Sequence, residues 1–409
     1  MGPPTTRQCT PARLAFSLFV AGAVWLLFDL GASRPAEVVA ARGKGRLVWS
    51  DEFGGDEVDR SRWNVIRSVN GGGNGEFQEY TDDGETVAVG GGFLALTPAL
   101  STLPRKFLYN GTLDLGDCSD AWPGACTRTG TVNFPLPGVR SGKVTTQGKF
   151  AFTYGVLEAR VRVPRGDWLW PAFWLLPEAP GDAGYGAWPR SGEIDVMEGR
   201  GNAEDWQMLG GDPNRRRLDE DPATWRYSDY GRNAFTSTVH CAGPASKDDF
   251  DMVKEVRSPA SLADDDGFLV FGLRWTPDRV RTYYVDAATG RETTVVDWRG
   301  YGARPSCRGE YADAATPLAP YDGDFYVIFN LAVGGDCGGK DYYWGHDTPW
   351  APANCPGKAQ GLTSPACFLQ AQDDWLPTWG ADDQLLVDWV RVWDLPDAER
   401  QPPATTTSS

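Results

Sequence analysis

Three carboxylates lie close together in a segment that otherwise has the character of a β-strand. Glu193, Asp195 and Glu198 fall within six residues and are separated only by apolar side chains. Successive side chains of a strand point to opposite faces, so Glu193 and Asp195 share one face and Glu198 points away. A β-bulge at Val196 or Met197 would return Glu198 to that face, because two residues would then oppose one on the neighbouring strand. The spacing therefore predicts three acids on one surface.

Carboxylates crowded in this way are suited to acid–base chemistry. Like charges repel, and the repulsion raises the pKa of at least one acid, so that one carboxyl group keeps its proton while another is ionised. Retaining cleavage of a glycosidic bond needs such a pair about 5 Å apart: one acid attacks the sugar carbon, and the other protonates the leaving oxygen and then activates water. A solvated strand edge and a metal site are the alternatives, although the spacing matches no EF-hand loop and neither histidine is near in sequence.

The residues before the three acids are rich in tryptophan. The candidates for a binding surface are Trp168, Trp170, Trp174 and Trp188. Sugar rings have apolar C–H faces and polar rims, so carbohydrate sites combine flat aromatic side chains with acids and amides. Because the first three tryptophans share one strand parity and Pro171 interrupts them, we expect some of them to belong to the core.

Several separated segments of the chain resemble glycoside hydrolase family 16. They are residues 48–53 (VWSDEF), 73–81 (GNGEFQEYT), 148–155 (GKFAFTYG), 237–240 (STVH), 275–278 (WTPD), 325–335 (FYVIFNLAVGG) and 387–393 (VDWVRVW). Within the family, the chain is similar to laminarinase-type endo-1,3-β-glucanases and to the animal β-1,3-glucan-recognition proteins. The pair Val196-Met197 is typical of the bulged, laminarinase-type motif, since lichenase-type members have one residue fewer.

The resemblance implies a role for each acid. Glu193 would be the nucleophile and Glu198 the general acid/base, while Asp195 would tune the nucleophile through hydrogen bonding and charge. The resemblance further implies substrate contacts at Trp170, Trp188, Asn74, Arg160 and His240. A lone histidine is more often a hydrogen-bonded structural residue, which is the alternative for His240.

The rest of the chain has the pattern of many short strands. Its 409 residues include 49 glycines and 30 prolines, and short alternating runs such as 156–163 and 385–392 recur without a long helical pattern in the body. This pattern predicts an all-β fold, a two-sheet β-sandwich of jelly-roll (concanavalin-like) type whose concave face forms the substrate cleft. The family resemblance implies the same fold.

Charge and motifs restrict the partners. The net charge of −16 argues against nucleic acid and anionic membrane surfaces, which bind clustered Lys and Arg. A neutral β-glucan polysaccharide is not repelled, and we expect a monomer. No P-loop, dinucleotide-binding or zinc signature is visible, and no cofactor is expected to be required.

The family resemblance implies a structural Ca²⁺ on the convex face, with oxygen ligands from Glu52, the carbonyl of Gly92 and Asp388; exposed strand acids are the alternative.

Three regions divide the chain. Residues 1–40 are predicted to be a signal peptide or signal anchor and leader, because Arg7 and Arg13 precede an apolar run, residues 14–28, that is short for a bilayer span. Residues 47–395 form the predicted catalytic domain, and residues 396–409 a disordered tail. We expect secretion, with a membrane-anchored, extracytoplasmic domain as the alternative.

The cysteines agree with an oxidising compartment. Beyond Cys9 in the leader there are seven, an odd number that allows up to three bridges and one surplus thiol. Cys118 and Cys126 form the most plausible local pair, and we expect at least one bridge among Cys337, Cys355 and Cys367. The sequon at Asn110 is compatible with glycosylation in a eukaryotic host.

Three functions fit these patterns. The first is an endo-acting, retaining hydrolase of 1,3-β-glucans such as laminarin, acting through a covalent glycosyl-enzyme. The second is a non-catalytic glucan-recognition protein. Relatives of that kind lose the acids, whereas this chain retains Glu193, Asp195 and Glu198. The third is a glucan transglycosylase, which shares the first half of the reaction and differs only in its acceptor.

Overall fold

The computed structural model describes residues 43–120, 124–178, 185–203, 231–232, 234–242, 248–249, 254–257, 263–299, 311, 314, 316–336, 343–344 and 347–400. The predicted leader lies outside these ranges. Within them, no helix is both long enough and apolar enough to span a membrane.

Short strands make up most of the described chain. In chain order they are β1 (Leu47–Asp51), β2 (Asn64–Val65), β3 (Gln78–Tyr80), β4 (Val87–Gly90), β5 (Phe93–Leu96), β6 (Ala99–Leu100), β7 (Thr112–Asp114), β8 (Thr127–Thr129), β9 (Val139–Ser141), β10 (Lys143–Thr145), β11 (Ala151–Phe152), β12 (Gly155–Arg162), β13 (Leu169–Pro177), β14 (Glu193–Gly199), β15 (Ala234–Ala242), β16 (Asp248–Asp249), β17 (Lys254–Arg257), β18 (Leu269–Thr276), β19 (Arg279–Val285), β20 (Glu292–Trp298), β21 (Phe325–Val333) and β22 (Leu385–Trp393). The α-helices are short: α1 (Arg105–Leu108), α2 (Ser364–Gln370) and α3 (Gln372–Trp375), with 3-10 turns at Pro356–Gln360, Leu376–Thr378 and Asp397–Glu399.

Two large antiparallel sheets carry the fold. The eight-stranded back sheet has the order β20-β19-β18-β12-β22-β5-β4, with β1 beside β22. The nine-stranded front sheet has the order β16-β15-β14-β13-β21-β10-β2, with β11 beside β21 and β17 beside β15. Smaller sheets join β3, β9 and β6, and β7 with β8. The predicted all-β sandwich is confirmed.

Alternation along the strands builds the core between the two sheets. On β12, Leu157 and Ala159 are fully buried, and they belong to one apolar cluster with Phe173 and Leu175 of β13. Burial of each large apolar side chain contributes roughly 1.5–3 kcal/mol. The side chains of opposite parity on the front sheet are thereby directed to its other face.

The predicted bulge is present in β14. Asp195 opposes Thr238 of β15, whereas Glu198 opposes Thr236, so three steps along β14 match two along β15. The two residues between these acids are both buried in the core. The extra residue restores Glu198 to the face that Asp195 occupies, as strand geometry requires.

Two disulfides agree with the cysteine predictions. Cys118 pairs with Cys126, and Cys355, which precedes α2, pairs with Cys367 of α2. Cys241 is also disulfide-bonded. The local pair and the bridge among the three later cysteines are therefore confirmed.

The predicted boundary of the disordered tail needs correction. Residues 397–399 form a 3-10 turn, and the carboxylate of Glu399 accepts hydrogen bonds from Arg274 Nε at 3.0 Å and Nη2 at 2.8 Å. Composition did not reveal this contact because Arg274 lies on β18, far away in sequence. Residues 401–409 are outside the described ranges.

Candidate active site

The three acids of β14 share the face of the front sheet that points away from the core. Ile194, between the first two, is fully buried in the core, whereas Glu193 and Glu198 are partly accessible. Asp195 is 2% exposed. The bulge thus brings the side chains of Glu193, Asp195 and Glu198 to one face, as their spacing in the sequence predicted.

Each outer acid accepts a hydrogen bond from a tryptophan. The indole Nε1 of Trp188 donates to Oε2 of Glu193 over 2.8 Å, and Nε1 of Trp170 donates to Oε1 of Glu198 over 3.1 Å. Trp188 is 48% exposed, whereas Trp170 is buried and stacks on Tyr343 with ring centroids 3.7 Å apart. The two indoles orient the carboxylates, and the exposed face of Trp188 is available to a ligand.

The middle acid lies beside the predicted histidine. Nε2 of His240 is 2.9 Å from Oδ2 of Asp195, and the imidazole lies on β15 directly opposite Glu193. Its ring centroid is 5.9 Å from that of Trp188. Four of the predicted residues therefore meet at one place although they come from separate segments.

Crowding changes the acidity of the group. Burial raises the pKa of Glu193 well above its ordinary value, and the negative charges of Asp195 and Glu198 raise it further, while His240 opposes the change. Protonation of Glu193 relieves this repulsion, so Glu193 retains a proton more readily than an isolated carboxyl group does.

A polar network that sequence reasoning missed continues from the acids along the same face. Nε1 of Trp174 donates to Oδ1 of Asn330 over 2.6 Å, and Nδ2 of Asn330 donates to the hydroxyl of Tyr80 over 3.1 Å. The ammonium group of Lys143 lies 5.1 Å from the Trp174 ring centroid. A single asparagine within the apolar run 325–333 was the signal that could have revealed this network.

Asn74 lies in a glycine-rich loop near the Trp170 end of the group. Its Nδ2 is 3.5 Å from Oε1 of Glu76, and its carbonyl accepts a hydrogen bond from Asp336. A Cβ added at Gly335 would be 3.6 Å from the Trp170 ring and 3.3 Å from the Asn74 carbonyl. The loop and the indole are therefore close neighbours.

Arg160 is not part of this group. It lies on β12 of the back sheet, at a position of opposite parity to the core residues Leu157 and Ala159. Its guanidinium forms ion pairs with Asp388, at 2.6 Å, and with Asp264. The structure therefore does not bring Arg160 together with the three acids, because the residue belongs to the other sheet.

The tryptophans divide between core and site. Trp168 is buried and packs edge-on against Trp344 and Trp350, with centroid distances of 5.5 and 5.0 Å. Its backbone has φ 67°, a left-handed conformation that interrupts strand alternation just before β13. Trp170 and Trp174 face the acids and the polar network instead.

The structure does not support the suggested calcium ligands. Glu52 accepts two hydrogen bonds from Arg391, at 2.9 and 2.8 Å, and Asp388 is paired with Arg160. Arginines that neutralise both carboxylates leave little attraction for Ca²⁺, whose sites depend on charged oxygen ligands. These residues therefore do not fit a calcium site.

Known proteins resemble the chain over most of its length. A β-1,3-glucan-binding protein of Penaeus monodon is 34% identical over 376 residues, which cover 87% of this chain and 92% of that protein. A glucan endo-1,3-beta-glucosidase of Cryptopygus antarcticus is 30% identical over 315 residues, 76% of this chain and 89% of that one. The laminarinase structure from Rhodothermus marinus has the same fold, with a TM-score of 0.51, 24% identity and coverage of 86% and 98%. No family model matches. The chain belongs to glycoside hydrolase family 16, in the group that contains laminarinases and β-1,3-glucan-binding proteins.

Proposed function

We propose that this protein is an endo-acting, retaining hydrolase of 1,3-β-glucans. The observation that carries the proposal is the bulged strand, which places Glu193, Asp195 and Glu198 on one face and gives both outer acids an indole donor. A protein that only binds glucan needs the aromatic surface but not three crowded carboxylates, whose mutual repulsion must be overcome on folding.

The first chemical step uses the two outer acids. Ionised Glu193 attacks the anomeric carbon, Glu198 transfers its proton to the glycosidic oxygen, and the carbon–oxygen bond to the leaving sugar breaks. Nε1 of Trp188 holds the attacking carboxylate at Oε2, which leaves Oε1 for the bond. Trp170 holds Glu198 in the same way.

The second step reverses these roles. Glu198, now ionised, removes a proton from water, the water oxygen attacks the anomeric carbon, and Glu193 leaves as a carboxylate. Asp195 lies between them and raises the pKa of Glu193, which makes its carboxylate a stronger base toward carbon, while His240 moderates that effect. Two inversions give net retention at the sugar carbon.

The substrate class is supported by the names of two relatives, a β-1,3-glucan-binding protein and a glucan endo-1,3-beta-glucosidase. The first of these names also favours a second candidate function, glucan binding without cleavage. A transglycosylase would follow the same first step and transfer the sugar to a hydroxyl group of a second glucan.

One experiment tests all three. The protein is incubated with laminarin, mixed-linkage glucan, carrageenan, agarose and xyloglucan, and products are sized, with Glu193→Gln as the inactive control. Internal cleavage of laminarin by the wild type alone supports the hydrolase. Binding without products identifies a recognition protein, and products longer than the substrate identify a transglycosylase.

We also propose that the protein acts outside the cytoplasm. The described disulfides, Cys118–Cys126 and Cys355–Cys367, are stable in an oxidising compartment and rare in a reducing one. Fractionation of the native host, with sequencing of the mature amino terminus, tests this placement and distinguishes a released protein from an anchored one.

A further inference from the structure

His240, Asp195 and Glu193 form a compact set of metal-ligating atoms. The imidazole nitrogen and one oxygen of each carboxylate all lie within 4.8 Å of one another. Within the part of the chain that the structure describes, this is the one group of three or more such residues. It joins two neighbouring strands, so no local sequence motif reveals it.

A second observation concerns Oδ2 of Asp195. This oxygen is buried, and no N–H or O–H of the described residues is aligned to donate a hydrogen bond to it. Nε2 of His240 is nevertheless only 2.9 Å away. A proton on Nε2 or a metal ion between the two atoms allows this approach, because a deprotonated Nε2 and a carboxylate oxygen would otherwise direct lone pairs at each other.

The spacing suits coordination. Ligand atoms around a tetrahedral zinc ion, with bonds of about 2.0–2.1 Å, lie about 3.3 Å from each other. The 2.9 Å between Nε2 and Oδ2 is slightly shorter than that value, and the oxygen of Glu193 lies within 4.8 Å of both, so side-chain movements alone would complete three ligands. Remaining coordination positions face the open side of the sheet, where Glu193 and His240 are partly accessible.

The donor set selects the kind of ion. Ca²⁺ and Mg²⁺ prefer oxygen ligands alone, whereas imidazole together with carboxylate favours Zn²⁺ or Cu²⁺. Glu198 is not a member of this group of ligand atoms.

We propose that a divalent transition ion of the zinc type binds to His240, Asp195 and Glu193 and competes with glucan for this site. The inhibitory consequence rests on the proposed hydrolase function, because the ion occupies the carboxylate that would attack the sugar. The binding itself does not depend on that function. Zinc is expected to raise the apparent KM for laminarin and to leave kcat unchanged.

The test is a calorimetric titration of the chelator-treated, full-length protein with zinc chloride alone. The variant His240→Ala removes the nitrogen ligand, and His346→Ala is the matched control because His346 is the chain's only other histidine. Loss of this ligand should weaken zinc binding by at least about tenfold, as perturbation of even the surrounding residues can do. His346→Ala and Glu198→Gln should bind zinc like the wild type, although Glu198→Gln is expected to be inactive.

Thermal unfolding of each variant verifies that it is folded, and Asp195→Asn serves as a second ligand variant if His240→Ala is not. Wild-type zinc affinity in both ligand variants, or no zinc binding by the wild type, would overturn the proposal. Zinc that lowers kcat without changing KM would also overturn it. Zinc binding by a protein that fails to cleave laminarin would refute the hydrolase assignment and leave the metal site standing.

Discussion

The replacement Trp188→Phe separates two contributions of one side chain. The indole donates a hydrogen bond of 2.8 Å to Oε2 of Glu193, and about half of the ring is exposed on the same side as the acids. Phenylalanine keeps a flat, though smaller, aromatic face for a sugar and removes the N–H donor. A change in the acidity of Glu193 then reports the loss of the hydrogen bond.

The expected size follows from the geometry. Hydrogen bonds to charged groups contribute roughly 1.5–3 kcal/mol, and the exposure of Trp188 places this one at the lower end. A loss of about 1.4 kcal/mol from the ionised form is a factor of about ten in its equilibrium, so removal of the donor should raise the pKa of Glu193 further. Glu193 must be ionised to attack, so activity falls as pH falls through its pKa. The acid side of the profile of kcat/KM against pH should therefore move to higher pH. At pH values below the pKa of Glu193, kcat/KM should be about tenfold lower than in the wild type.

The assay is kcat/KM on laminarin across the pH range for the wild type, Trp188→Phe and Trp188→Ala. The alanine variant also loses the aromatic face, and its kcat/KM should fall by an amount equivalent to about 1–3 kcal/mol of transition-state stabilisation. Phe134→Ala is a matched control, because Phe134 is 44% exposed and packs against Arg128 of β8, which belongs to a different sheet from the acid-bearing strand. Its kinetics should equal those of the wild type.

Two results would refute the reasoning. The first is an unchanged acid limb in Trp188→Phe, which would mean that the N–H does not stabilise the ionised nucleophile. The second is a fall in Tm of several degrees with activity per folded molecule unchanged, which would make Trp188 a structural residue. Stability and kinetics are measured on the same preparation so that the two outcomes remain distinct.

Further predictions concern the nucleophile, the bulge and a buried ion pair. Glu193→Gln should lower hydrolysis by roughly several orders of magnitude while glucan binding, measured by calorimetry, persists. Folding raises the pKa of Glu193, so this residue lowers the free energy of unfolding as pH rises from the ordinary glutamate pKa through the raised one. The same variant should therefore have a higher Tm than the wild type at neutral pH and an equal Tm in acid. Deletion of Met197 should remove the bulge and abolish laminarin cleavage while the circular dichroism spectrum stays that of a folded β protein. Lys44→Met should lower the free energy of unfolding in urea by about 3–5 kcal/mol, because Lys44 Nζ lies 2.6 Å from Glu158 and both side chains are almost fully buried.

Each of these has its own contrary outcome. Turnover by Glu193→Gln near the wild-type rate would remove Glu193 from the mechanism, and an equal Tm at all pH values would contradict its raised pKa. An active Met197 deletion would show that the bulge is dispensable. The pair Lys44→Met and Glu158→Gln should recover much of the stability lost by Lys44→Met alone, and a wild-type stability of the single variant would show that the ion pair contributes nothing net.

The sequence by itself determined the features that depend on local geometry. Strand alternation is a property of consecutive residues, so the parity of Glu193, Asp195 and Glu198 was sufficient to predict both the shared face and the bulge that produces it. The same holds for the sandwich, which follows from many short alternating runs, and for the Cys118–Cys126 bridge, which closes a loop of only a few residues.

Only the tertiary structure decided which distant residues meet. The family resemblance suggested a substrate contact at Arg160, but this residue lies on the back sheet and forms an ion pair with Asp388. Asp388 is also one of the residues suggested as calcium ligands. His240 reaches Asp195 because β15 pairs with β14 in one particular register, and a shift by one residue would turn the imidazole to the other face. Such contacts depend on strand pairing between segments that are separate in the chain, where no short pattern records the partner. The physical reason is that alternation determines the face on which a side chain lies, whereas the register between strands determines its neighbours.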